Sequence, residues 1–144
     1  MKRGFFAIGV YGAKREVNIG SLWRTASILR ASYIYTVGRR YEKQSSDTSK
    51  TDRHIPLIHY RDIDDLAEHL PHGCQLVGVE LTERAWDLKN FSHPQQCCYL
   101  LGAEDTGIPE AILAKCHGVI KLKGDYSMNV AVAGSIVMYH REAL

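Results

Sequence analysis

The chain has 144 residues with 45% hydrophobic and 24% charged side chains, a balance that excludes global disorder and gives room for one domain, residues 1–144, rather than two. Its net charge of +2 hides an asymmetry: residues 1–54 carry 11 Lys/Arg against 4 Asp/Glu, and residues 55–144 carry 7 against 12. The basic third is either a polyanion-binding face or a solvated surface, and the longest near-apolar stretch, Val130 to Tyr139, falls short of the roughly 20 residues of a membrane span.

Phe5 to Val10 is a short apolar run closed by Tyr11-Gly12, the pattern of a buried strand and not of a signal peptide. Asn18 stands as the N-cap of a helix whose Ile19, Leu22, Trp23, Ala26 and Leu29 recur at 3.6-residue spacing. Tyr33 to Val37 is a second strand. Arg39 to Arg53 is polar, lacks periodicity and reads as a functional loop. Ile55 to Tyr60 reads as a strand weakened by Pro56, and Asp62 to Leu70 as a short helix broken by Pro71-His72-Gly73. Strands follow at Gln75 to Leu81 and Cys97 to Leu101. A helix starting at Pro109 runs to about Lys115, the last strand is Val119 to Leu122, and the last helix runs from Met128 to about Arg141. This alternation predicts an α/β fold, a mostly parallel sheet with helices on both faces.

Met128, Val130, Val132, Ile136, Val137 and Tyr139 spread around most of the last helix. Such a helix must be covered on nearly every side, by its own domain or in part by a second subunit. Adjacent Cys97 and Cys98 should point to opposite faces of a strand. The four cysteines lack C-x-x-C spacing and read as buried reduced thiols of a cytoplasmic protein, and the seven histidines show no metal-binding spacing, so no metal site is expected.

No two glycines are separated by a single residue, which excludes the dinucleotide-binding G-x-G-x-x-G loop. Gly102 and Gly107 have phosphate-loop spacing, but Ile108-Pro109 follows them in place of Lys-Ser/Thr. Three segments remain as candidate sites: Asn18-Ile19-Gly20-Ser21-Leu22-Trp23-Arg24, Leu101 to Pro109, and Ser127-Met128-Asn129. Taken singly, Asn18, Glu104 and Ser127 serve equally well as cap or turn residues.

In this order the three segments resemble the motifs of the SpoU branch of the SPOUT superfamily, the RNA 2′-O-ribose methyltransferases. Asn18-x-Gly20-x-x-x-Arg24 matches the first motif, Gly102-x-Glu104-x-x-Gly107 the second, and Ser127-Met128-Asn129-Val130-x-Val132-Ala133 the third. Ala103 and Leu122-Lys123-Gly124 depart from the usual pattern. The resemblance implies a C-terminal trefoil knot, a homodimer and S-adenosylmethionine as cofactor. It places that cofactor against Val79, Glu80, Leu101, Gly102, Gly107, Ile120, Leu122, Met128 and Asn129. It also assigns Arg24, Asn18, Glu104, Ser127 and Asn129 to methyl transfer onto a ribose 2′-hydroxyl. Arg15, Arg39, Arg40, Tyr41, Lys43, Lys50 and Arg53 are then the candidates for RNA contact. The short chain resembles members that act on tRNA, with rRNA as the alternative substrate. A non-catalytic RNA-binding dimer and a phosphate-ester-processing enzyme are the competing readings.

Overall fold

The computed structural model describes residues 4–39, 54–103 and 107–143. In chain order its elements are β1 (Phe5–Tyr11), α1 (Glu16–Ile28), β2 (Tyr33–Val37), β3 (Leu57–Tyr60), α2 (Ile63–Glu68), β4 (Gln75–Val79), β5 (Trp86–Asp87), a turn of 3₁₀ helix (Leu88–Asn90), β6 (Gln96–Gly102), α3 (Glu110–Leu113), β7 (Gly118–Lys121) and α4 (Val130–Ala143). Among the described residues the strands form one sheet in the order β3-β2-β1-β6-β4-β7-β5. Every pairing is parallel. All strand C-termini therefore emerge along one edge.

A parallel sheet survives in water only when both faces are covered, and the alternation along the strands shows how. Phe6, Ile8 and Val10 of β1 share a core with Cys97, Tyr99 and Leu101 of β6 and with residues of α1 and α4. Ala7, Cys98 and Leu100 face the other way, among Ile63 and Leu66 of α2 and Leu113 of α3. Cys97 and Cys98 are thus both fully buried, on opposite faces. Gly134 brings α4 close to both α1 and the sheet, because a Cβ there would lie 2.5 Å from Leu22 Cδ1 of α1 and 2.8 Å from Leu101 Cδ1 of β6.

Several boundaries differ from the sequence expectation. Helix α1 begins at Glu16 with Arg15 in the cap position. Asn18 is therefore not an N-cap: it lies in the first helical turn, buried, and its side chain is used for a contact across the fold described below. Strand β3 starts after Pro56, whose carbonyl accepts from Ile34 N–H while its own nitrogen has no proton to offer. Helix α2 starts after Asp62, whose Oδ1 accepts from Asp65 N–H at 2.8 Å. Strand β4 stops at Val79, β7 ends at Lys121 and α3 is a single turn. Helix α4 begins at Val130 and not at Met128, because Asn129 caps it: Oδ1 accepts from Ala131 N–H at 2.9 Å and Val132 N–H at 3.2 Å. Of the polar loop expected at 39–53, residues 40–53 lie outside the described residues.

A polar network ties the end of α4 to the start of β6. Arg141 Nη1 donates to Pro94 O at 2.7 Å and to the Tyr99 hydroxyl at 3.1 Å, and Nη2 donates to Gln95 O at 2.9 Å. His93 lies 2.6 Å from the Tyr99 hydroxyl through Nδ1 and 2.7 Å from His140 Nδ1 through Nε2. Burial, with the neighbouring His140 and Arg141 adding to it, pulls the His93 pKa down to about 4. The unfolded chain, with a pKa near 6.5, binds the proton first. Stability is therefore fully present above that value and falls as pH drops from about 6.5 towards 4. Allowing for solvent screening of a half-buried ring, urea titrations should show a loss of about 1 kcal/mol between pH 7 and pH 5. The same titrations of His93→Gln should show that loss much reduced.

Candidate functional site

The C-terminal ends of β4, β6 and β7 converge on the head of α4. In register, Val79 of β4 lies between Leu101 of β6 and Ile120 of β7. Strand ends of a parallel sheet are where such folds place ligands. Here they form a cleft of about 240 Å³. Its walls are Val79, Glu80 and Leu81 after β4, Leu101, Gly102, Ala103 and Gly107 after β6, Leu122, Tyr126, Ser127 and Met128 after β7, and Val130 and Ala133 of α4.

The turn after β6 is shaped by two glycines. A Cβ on Gly102 would come within 2.6 Å of the Gly107 carbonyl carbon and 2.7 Å of Ile108 N, both backbone atoms that cannot swing aside. Gly107 has φ of +65°, the left-handed region that other residues enter at a cost. Its N–H donates to Ala103 O at 2.9 Å and closes the turn. Glu80 secures the far side, with Oε1 accepting from Ile108 N–H at 2.9 Å. The turn is therefore held against the end of β4, and the cleft has a fixed rim.

The residues expected at the site divide into groups. Val79, Glu80, Leu101, Gly102, Gly107, Leu122, Met128 and Ser127 line the cleft. Ile120 does not: its side chain is fully buried in the core, and its carbonyl accepts from Glu80 N–H. Asn129 and Asn18 meet each other, Asn129 Nδ2 donating to Asn18 Oδ1 at 3.0 Å. This pair lines a second, wider groove between α1 and α4 with Ser21, Thr25, Val132, Ser135, Ile136 and Tyr139. Arg24 is exposed on α1 and lines neither cavity. Glu104 lies outside the described residues, as do Arg40, Tyr41, Lys43, Lys50 and Arg53. Arg15 and Arg39 are exposed and follow the C-termini of β1 and β2, on the same edge of the sheet as the cleft.

Leu81, Ala103, Tyr126, Val130 and Ala133 also line the cleft but were not among the expected contacts. Ala103, Val130 and Ala133 fall inside the quoted motifs, so motif membership was the available signal. Leu81 stood at the end of an expected strand beside Glu80, and Tyr126, in an irregular segment, offered no signal. Among the described residues no group of His, Cys, Asp and Glu is placed to hold a metal ion, and no helix is long and apolar enough to cross a membrane.

The comparisons with known proteins agree with this fold. A family model described as the SpoU rRNA Methylase family matches residues 6–139. The tRNA (guanosine(18)-2′-O)-methyltransferase of Escherichia coli (strain K12) is 27% identical over 131 residues, which is 87% of this chain and 57% of that protein. The chain thus spans little more than half the length of this curated relative. The AdoMet-bound rRNA methyltransferase from Sinorhizobium meliloti superposes with a TM-score of 0.85 at 21% identity, covering 99% of this chain and 58% of that one. A structure solved in work on 2-OH methylation of C/U34 on tRNA superposes with a TM-score of 0.83 at 22% identity, covering 99% of this chain and 98% of that one.

Proposed function

The chain belongs to the SpoU rRNA methylase family, and on that premise we propose that it is an S-adenosylmethionine-dependent methyltransferase acting on a ribose 2′-hydroxyl of tRNA. The observation that carries the reading is the convergence of two of the sequence motifs, around Gly102 and around Ser127-Met128, on one cleft at the strand ends.

The cleft suits the cofactor in its chemistry. Val79, Leu101, Leu122, Met128 and Val130 give apolar walls, Ser127 offers a hydroxyl and Glu80 a carboxylate, the mixture that encloses a nucleoside and a charged tail. When bound, S-adenosylmethionine supplies an electrophilic methyl group on a sulfonium. The turn at Gly102 and the apolar wall would hold the cofactor and exclude water. A guanidinium group is a poor base. The role of Arg24 is to bind a substrate phosphate and to stabilise the negative charge that develops on the 2′-oxygen. Asn18 and Asn129, bonded to each other, fix α1, which carries Arg24, against the head of α4.

The exposed apolar side of α4, with Val132, Ile136 and Tyr139, supports a homodimer in which a second copy covers the wider groove. The C-terminal trefoil knot, contact of Arg15 and Arg39 with RNA and residence in the cytoplasm belong to the same reading. The tRNA assignment is supported by the named activity of the Escherichia coli relative and by the end-to-end match to a structure concerned with tRNA.

The test incubates the chain with methyl-labelled S-adenosylmethionine and separate pools of unmodified tRNA and rRNA, then digests each pool to nucleosides. Label in a 2′-O-methylnucleoside from tRNA is the expected result. Label only from rRNA moves the substrate class. No label from either pool, together with no cofactor binding by calorimetry, overturns the proposal.

A further inference from the structure

Tyr126 is the most exposed large hydrophobic side chain among the described residues, at 86%, yet it lines the cleft. It sits in the segment 122–127 that follows β7. Among the described residues no side-chain hydrogen bond or ring contact holds it. A tyrosine surrounded by water and packed against no neighbour contributes little to its own fold. The inner walls of the cleft are already supplied by Val79, Leu101 and Val130, each at most 8% exposed. The ring therefore belongs to the mouth and meets what arrives from outside.

Resting on the reading above, we propose that Tyr126 is the residue on which the base of the target nucleotide stacks. The geometry of a nucleotide supports this. The 2′-hydroxyl and the base are carried on adjacent ribose carbons, so a hydroxyl brought into the cleft places its base at the rim. An aromatic face at that position receives any of the four bases, since each presents a π-face. Lys123, exposed three residues earlier, adds a cation to the same segment, and a cation with an aromatic is the combination that tracks single-stranded nucleic acid. Tyr126 thus selects for an unstacked nucleotide, and base identity is read elsewhere.

The experiment compares wild type, Tyr126→Ala and Tyr126→Phe in two binding measurements and one size measurement. Fluorescein-labelled unmodified tRNA is titrated by anisotropy, S-adenosylmethionine by calorimetry, and the assembly is sized by sedimentation. Tyr126→Ala is expected to weaken tRNA binding by about tenfold, with cofactor affinity within about twofold of wild type. Tyr126→Phe, which keeps the ring, should bind tRNA as wild type does. Unchanged tRNA affinity in Tyr126→Ala overturns the proposal. So does a loss of cofactor affinity, which would put the ring on the cofactor, or a change of assembly size, which would put it in a subunit contact. Failure of the functional reading itself is read separately, as a wild-type chain that binds no S-adenosylmethionine.

Discussion

Gly102→Ala should weaken S-adenosylmethionine binding by up to about two orders of magnitude while the chain still folds. The added methyl would sit 2.6 Å and 2.7 Å from backbone atoms of Gly107 and Ile108, closer than any carbon contact allows. Overpacking of this kind costs about 1–3 kcal/mol. Where the strain goes follows from what surrounds it. Gly102 ends β6, a central strand with β1 on one side and β4 on the other, so the turn gives way and the sheet does not. The turn carries Ala103 and Gly107 out of the cleft wall and pulls Ile108 from Glu80. Calorimetry for the cofactor and circular dichroism for the fold would separate the two effects. Wild-type affinity in a folded Gly102→Ala protein would mean that the cofactor does not use this cleft.

Arg24→Ala should reduce the rate of methyl transfer by about 10²–10³-fold, the usual cost of removing a group that stabilises developing negative charge. Cofactor affinity should be unchanged, because Arg24 lies on the exposed side of α1 and does not line the cleft. Arg24→Lys should recover only part of the rate, since an ammonium keeps the charge but not the paired, planar donors. Single-turnover rates at saturating cofactor and RNA measure the first effect, and calorimetry the second. A folded Arg24→Ala protein that no longer binds cofactor would refute the role given to this residue.

The strands and long helices were legible because their signals are periodic. Phe5 to Tyr11 and Cys97 to Gly102 are continuous apolar runs, as strands buried on both faces must be. The spacing of Ile19, Leu22, Trp23 and Ala26 located α1. What failed was local and polar. Asn18 has the chemistry of a cap and stands near a helix start, so sequence cannot distinguish capping from a buried amide reaching across the fold. Asn129 is a true cap, and that displaced the start of α4 by two residues. Strand β5, only Trp86–Asp87, is too short to carry any period. The motifs around Gly102 and Ser127 marked the cleft but did not show that Asn129, two residues beyond Ser127, turns to the opposite groove. That separation arises from the direction in which α4 leaves its cap, a three-dimensional property. Tyr126 had no signal because an irregular segment has no face to be inside or outside of.

The hydrogen bond between Asn129 and Asn18 joins residues 111 positions apart, and this distance has a consequence for synthesis. At 5–20 residues per second, roughly 5 to 20 s separate the two asparagines on the ribosome. During that interval β1 and β2 can pair, but α1 waits with Leu22 uncovered until α4 brings Gly134 against it. The apolar face of α1 is thus left open until α4 has been made. A chain truncated before residue 129 should be a client of chaperones and proteases and not a weak version of the whole.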